Sequence, residues 1–218
     1  MSFSSTPIFY MQQLLQGIID GLQQMTWIDV TAVLFGVVSV LCSRQNSVWV
    51  YPTGIISTVL IVYAYVQPGV GLYGEAALNV YYFIMSVYGW YHWTHRDRRH
   101  REVAISRTDG REMGIALAIA LLGWGVIYLV LEHFSDSTVP VLDAFVSSTA
   151  WSGMWLLARR KIENWIFLNV SNFVAVPLLF YKAQPLYAFL TIFLFIVAVN
   201  GYFHWLKLYR LQLNENKS

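Results

Sequence analysis

Seven apolar stretches recur along the 218 residues, at 27–42, 49–66, 73–93, 113–131, 142–158, 165–181 and 186–206, with only short polar breaks between them. A helix needs about 20 mostly apolar residues to cross the hydrocarbon core of a bilayer. The first, fifth and sixth stretches fall short of that length; the others reach or approach it. Charged residues make up only 12% of the chain, about half the share of a soluble domain, so its surface cannot face water throughout. Aromatic residues reach 17%, with nine Trp and fourteen Tyr, side chains that collect at the headgroup level of a bilayer. The pattern predicts an all-α membrane protein with seven transmembrane helices.

Seven spans place successive loops on alternating faces, and the basic residues test that alternation. One face receives Arg44, then Arg96, Arg98, Arg99, Arg101, Arg107 and Arg111, then Arg159, Arg160 and Lys161, and finally Lys207, Arg210 and Lys217; only Lys182 falls on the other. By the positive-inside rule the crowded face is cytoplasmic, which predicts an outside N-terminus and a cytoplasmic C-terminus. One span more or fewer in the middle would scatter these charges. The Arg-rich run at 95–111 therefore reads as a juxtamembrane loop set by topology, and no nucleic-acid partner is expected. Residues 1–24 hold no Lys or Arg and mix Gln12, Gln13, Gln16, Asp20, Gln23 and Gln24 with Leu14, Leu15, Ile18, Ile19 and Leu22. They lack the basic region of a cleavable signal peptide and are expected to form an amphipathic helix at the membrane interface.

The chain also repeats itself. Gly89-Trp90-Tyr91-His92-Trp93 returns as Gly201-Tyr202-Phe203-His204-Trp205, and Asp29, Arg44, Trp49 and Leu72-Tyr73 find counterparts in Asp143, Arg159, Trp165 and Leu186-Tyr187. Each copy holds three spans. Two odd-numbered copies joined directly would be inverted, so the fourth span between them restores a common orientation and gives a 3+1+3 arrangement of parallel repeats. The expected division is an amphipathic segment at 1–26, a first copy at 27–93, a basic loop and linker helix at 94–131, a second copy at 132–206 and a tail at 207–218. Parallel repeats are one architecture on which carriers are built, with substrate near the midplane between the copies; a receptor or scaffold that binds without transporting is the rival reading. The aromatic motifs at the cytoplasmic ends of the third and seventh spans read as interface anchors.

Polar side chains deep in a span are costly unless they face a bundle interior. In the third span Glu75, Asn79, Tyr82 and Ser86 share one helical face, because residues three and four apart lie above one another. In the sixth, Trp165, Asn169 and Asn172 do the same. The fifth span adds Ser148, Thr149, Trp151, Ser152 and Trp155, the second Ser57 and Thr58, and the seventh Asn200, nearer the cytoplasm. Single Ser and Thr hydroxyls are best read as interhelical glue worth roughly 0.6–2 kcal/mol each. Asn79 and Asn172, placed across the repeat axis from each other, are candidate ligand contacts, since an amide both donates and accepts. Trp and Tyr beside such amides can stack on a flat ring, with a further gain if that ring is cationic. A planar polar ring bearing hydroxyls suits this set. Asp29, Glu75 and Asp143 lie near the outer ends of spans, where they either draw a cation to the entrance or complement helix N-termini.

Several functions find no support in the residues. No acid, His or Lys occupies the middle third of a span, which disfavours a proton relay and favours downhill movement. There is no Gly-x-x-x-x-Gly-Lys-Ser/Thr loop for ATP. The pair His92-x-x-His95 lacks further metal ligands, Cys42 is the only cysteine, and no nucleophile elbow or paired carboxylates appear. The chain is expected to be neither an enzyme nor dependent on a cofactor or metal.

The residues Leu72-Tyr73, Tyr88-Gly89-Trp90-Tyr91-His92-Trp93, Arg159-Arg160-Lys161-Ile162-Glu163-Asn164-Trp165 with Asn172, and Asn200-Gly201 give a chain that resembles the PnuC family of nicotinamide riboside transporters. The resemblance covers the chain from about 27 to 205. It implies a 3+1+3 fold similar to that of the SWEET sugar carriers, uptake of nicotinamide riboside for NAD biosynthesis by facilitated diffusion, trapping by a cytoplasmic kinase, and assembly as a homotrimer in the bacterial inner membrane. Related carriers take thiamine, riboflavin or other nucleosides. Where family members carry a longer amide, this chain has Asn79, which bears on the shape of the site.

Overall fold

A computed structural model of the chain describes residues 7–68, 70, 72–95, 103–135 and 137–215. Arg96, Arg98, Arg99, Arg101 and Lys217, with residues 1–6 of the amphipathic segment, lie outside the described residues. Among the described residues the chain forms eight helices: α1 (Pro7–Gln24), α2 (Trp27–Arg44), α3 (Val50–Tyr65), α4 (Tyr73–Thr94), α5 (Gly110–Phe134), α6 (Pro140–Ala158), α7 (Asn164–Tyr181) and α8 (Pro185–Glu215). The amphipathic segment is α1, and the seven apolar stretches coincide with α2 to α8. The largest departure is α8, whose 31 residues span about 46 Å at 1.5 Å per residue and run past the expected end at 206.

By length and apolarity α2, α5, α7 and α8 are each able to cross a membrane, and α3 is apolar but shorter. α4 and α6 pack against each other, α5 packs against both, and α6 buries Ser148, Thr149, Ser152 and Gly153 along its length. A helix enclosed as α6 is needs small and hydroxylated residues more than it needs aliphatic bulk, whereas α4 keeps an exposed face with Val80, Phe83, Ile84 and Val87. The chain is an all-helical, multi-pass membrane protein.

Local chemistry sets the helix starts. Thr26 and Asp29 form a reciprocal capping box at α2, and Asp109 and Glu112 form another at α5, satisfying amide donors that a helix N-terminus otherwise leaves orphaned. The α6 first turn holds Asp143, which accepts from Lys182 and from the hydroxyl of Ser137. Glu75 in the first turn of α4 accepts from Ser135. The three acids at the outer ends of spans are thus engaged in caps and pairings. On α1, Gly17 and Gly21 face Pro185 and Leu186, with no room for a Cβ at Gly17, where Pro185 would lie 2.8 Å away. This docks α1 on the start of α8.

The helices close a ring. Contacts run α2 to α3, α3 to α4, α4 to α6, α6 to α7, α7 to α8, and α8 back to α2, with α5 outside against α4 and α6 and α1 outside against α8. Among the described residues, no two helices on opposite sides of the ring come within 8 Å between Cα atoms, so the middle is filled by side chains alone. At one end, where α4 finishes and α3 and α7 begin, it is filled by Val50, Tyr51, Trp93, Ile105, Leu157, Ile162, Trp165, Ala198 and Trp205.

Candidate substrate site

Above this aromatic end the ring encloses a cavity of about 190 Å³. Its walls come from α2 (Gly36, Ser39, Val40, Ser43), α3 (Val50, Tyr51, Gly54, Ser57, Thr58), α4 (Tyr82, Ser86), α6 (Met154, Leu157) and α7 (Trp165, Leu168). Several of the hydroxyls are already committed. Ser39 donates to the carbonyl of Val50 at 2.7 Å, Ser57 to that of Ala32 at 2.8 Å, and Thr58 to that of Gly54 at 3.0 Å. Two polar atoms on the walls are buried without a hydrogen-bond partner, the hydroxyl of Ser43 and the indole nitrogen of Trp165. An unmet buried donor or acceptor costs roughly 1–3 kcal/mol; neighbouring atoms close both of these off from the cavity, so a ligand meets them only once the walls have moved.

The floor of the cavity is built from contacts between α4 and α6 and between α8 and α2. The Trp93 indole on α4 donates to the carbonyl of Leu157 on α6 at 3.2 Å, and the Trp205 indole on α8 donates to that of Ser43 on α2 at 3.0 Å. The two rings lie 5.9 Å apart. Each Trp follows a glycine by four positions, and a Cβ on Gly89 would lie 2.3 Å from the Tyr51 ring, one on Gly201 2.7 Å from that of Trp165. Tyr51, not Trp49, is therefore the counterpart of Trp165. Trp49 is 64% exposed whereas Trp165 is 1% exposed. With this register α2 and α3 correspond to α6 and α7 at an offset of 114, as in Ser57 and Ser171, and α4 to α8 at 112, as in Trp93 and Trp205, so that Leu72-Tyr73 and Leu186-Tyr187, which stand 114 apart, are not equivalent.

Of the residues singled out from the sequence, the cavity brings together Ser57, Thr58, Tyr82, Ser86 and Trp165. The asparagines stand apart from its lining. Asn79 donates to the carbonyl of Glu75 at 2.9 Å and Asn169 to that of Trp165 at 2.8 Å. In apolar surroundings an amide takes the nearest acceptor, which on a helix is the carbonyl four residues back. Asn169 borders an apolar groove between α7 and α8 with Ile166, Phe173 and Phe203. Asn172 is half-buried on α7. Asn200 is exposed and accepts from Arg44 at 2.6 Å, joining α8 to α2 at the basic end. Thr149 is buried within α6, Trp151 stacks on Tyr81 at 4.2 Å, and Trp155 lies under the Arg159 guanidinium at 5.4 Å. Glu75 is held by Ser135 at the far end of α4.

Sequence reasoning missed Gly36, Ser39, Ser43, Tyr51 and Gly54. The repeat was the available signal. At the offset of 114, Ser43 corresponds to Leu157, Val40 to Met154, Gly54 to Leu168 and Tyr51 to Trp165, and all eight line the cavity.

The family model described as nicotinamide mononucleotide transporter matches residues 26–207. The riboflavin/roseoflavin transporter RibM of Streptomyces davaonensis is 24% identical over 161 residues, 72% of this chain and 74% of that protein. The nicotinamide riboside transporter PnuC of Escherichia coli is 21% identical over 213 residues, covering 85% and 87%. PnuC of Neisseria mucosa is 27% identical over 200 residues, covering 84% and 73%. The crystal structure of the vitamin B3 transporter PnuC matches the fold with a TM-score of 0.66 at 22% identity, over 93% of this chain and 91% of that one.

Proposed function

From the premise that the chain belongs to the nicotinamide mononucleotide transporter family, we propose that it imports nicotinamide riboside across a bacterial inner membrane by facilitated diffusion. The observation that carries this reading is the cavity between the two helix groups, with Ser43 and Trp165 holding unpartnered polar atoms on its walls. Hydroxyls and an indole N–H suit a ribose and a carboxamide, and the rings of Tyr51, Tyr82 and Trp165 suit a cationic pyridinium. The size favours a small substrate. Pockets for drug-sized ligands hold about 300–1,000 Å³, so at about 190 Å³ the walls must widen for any occupant, and less for a single-ring riboside than for a three-ring flavin.

The 3+1+3 arrangement of parallel copies, 27–93 and 132–206 with a linker at 94–131, belongs to the same reading. Contacts given and received in return are what a two-fold relation produces, and the reciprocal bonds of Trp93 and Trp205 support it. Inverted copies would hold those rings apart by the hydrocarbon thickness, about 30 Å, whereas they are 5.9 Å apart. The basic residues favour an outside N-terminus and a cytoplasmic C-terminus, which makes the aromatic end the cytoplasmic one. Substrate is then drawn inward by phosphorylation in the cytoplasm, and the working unit is a homotrimer surrounded by lipid. Tyr82, Ser86 and Trp165 touch substrate in this state, and Asn79 and Asn172 are reached when the ring opens.

Proteoliposomes containing the purified chain should take up labelled nicotinamide riboside saturably without ATP or an ion gradient. Uptake that collapses when a proton gradient is dissipated removes facilitated diffusion from the reading. The similarity to RibM favours riboflavin as the second candidate, and a thermal-shift comparison of nicotinamide riboside, riboflavin, thiamine and uridine separates them. A ligand that binds without accumulating inside liposomes favours a receptor.

A further inference from the structure

Residues 103–109 run from the basic loop to the start of α5 and lie against the α6–α7 turn. The Ser106 amide donates to the carbonyl of Arg160 at 3.2 Å, and the Ile162 amide donates to the carbonyl of Ser106 at 3.1 Å. The Thr108 amide and hydroxyl both donate to one carboxylate oxygen of Glu163, at 2.8 and 2.6 Å. This pairing sets Ile105 into the aromatic end beside Trp93, Trp165 and Trp205, where it is 2% exposed.

Arg160 ties the segment to both helix groups. It is 7% exposed, sits in the left-handed region at φ 58°, donates to the carbonyl of Val103 and to the side-chain oxygen of Asn46 at 2.9 Å, and lies 4.4 Å over the Trp93 ring. Its counterpart at the offset of 114 is Asn46 itself, also left-handed at φ 56°. The two equivalent turns therefore meet each other across the end of the ring.

Val50, Tyr51, Leu157 and Trp165 belong both to the cavity lining and to the aromatic cluster. The floor of the cavity is thus the roof of the cluster, and Ile105 lies within that cluster. A solute leaving by this end must part Tyr51 and Trp165 and displace what lies beneath them. We propose that residues 103–109 are a bolt across this exit, with Ile105 as its tip and Arg160 as the positioning residue that holds it shut. The proposal rests on the carrier reading given above. An apolar cluster alone would seal too firmly to cycle. Hydrogen bonds at an aqueous end exchange for water at small net cost, so a seal fastened by Arg160, Thr108 and Glu163 can release and re-form.

The test uses the full chain in lipid nanodiscs with Cys42→Ser and Ser43→Cys, which places a single thiol on the cavity wall at the bolted end. A polar maleimide then reports how often that wall is open to water. Glu163→Gln, which weakens the hold on Thr108, should speed labelling several-fold, and Arg160→Lys, which loses the planar fork and the stacking on Trp93, should speed it about tenfold or more. Labelling at the parent rate in Glu163→Gln overturns the bolt, and that variant decides alone if Arg160→Lys does not fold. Riboside uptake by the parent chain, which keeps Ser43, and by Glu163→Gln and Arg160→Lys made in that chain separates the two readings. Labelling that responds in a chain that carries no riboside overturns the carrier and keeps the bolt, whereas a transporting chain whose labelling ignores both substitutions does the reverse.

Discussion

The Ser57 hydroxyl on α3 donates to the carbonyl of Ala32 on α2, and the Ser171 hydroxyl on α7 donates to that of Val146 on α6, both at 2.8 Å. The third helices agree as well, since Thr191 donates to the carbonyl of Tyr187 at 2.8 Å where Asn79 donates to Glu75. What the two groups present to the cavity differs. The first supplies Gly36, Ser39, Val40, Ser43, Val50, Tyr51, Gly54, Ser57, Thr58, Tyr82 and Ser86; the second supplies Met154, Leu157, Trp165 and Leu168. Volume is exchanged within the pairs. Gly54 faces the hydroxyl of Ser39, whereas its counterpart Leu168 lies 2.8 Å from where Gly153, the counterpart of Ser39, would carry a Cβ. Contacts that hold helices together are alike in the two groups, while hydroxyl-bearing residues line the cavity from the first group alone.

The strongest way to break this contrast is Gly54→Leu, which copies the second wall onto the first. A Cβ there meets the Ser39 and Ser86 hydroxyls at 3.1 and 3.4 Å, so the larger side chain crowds the helix contact and the cavity together; riboside uptake should fall about 100-fold, with about 1–3 kcal/mol lost in stability. Gly89→Ala and Gly201→Ala test the contacts that are alike. Both should destabilise by about 1–3 kcal/mol through overpacking, Gly89→Ala the more, in denaturant or thermal unfolding in detergent. Trp93→Phe and Trp205→Phe each remove one indole donor from the floor and should cost about 1 kcal/mol. Because the rings touch, the double variant should depart from the sum; strict additivity would mean that the two bonds do not act together. Least of all, Ser57→Ala and Ser171→Ala should each cost about 0.6 kcal/mol, and a large difference between them would sink the equivalence of the two groups.

The helices and the repeat were legible because apolar length and a recurring Gly-x-x-x-Trp leave direct traces in the residues. The cavity was less so. Gly36, Ser39, Ser43 and Gly54 are residue types that any packed membrane helix uses, and only the register of the repeat sets them against Leu157 and Leu168. The asparagines are the opposite case. They are conspicuous in a span, yet Asn79 and Asn169 turn their amide N–H groups back onto their own helices, and Asn200 accepts from Arg44 at the end of α2. Residues 103–109 left no periodic trace, since the single bridge of Ser106 to Lys161 depends on a partner 55 positions away.

The reciprocal indole bonds have a consequence for what a single chain can do that a dimer cannot. A contact in which each half gives what the other receives is the kind that two identical subunits make. Two such subunits would carry every substitution on both sides at once, and a symmetrical chamber fits a lopsided guest poorly. Within one chain, joined through α5, one side carries Ser43 where the other carries Leu157. In the carrier proposed above, that freedom lets one chamber tell the sugar end of a guest from its ring.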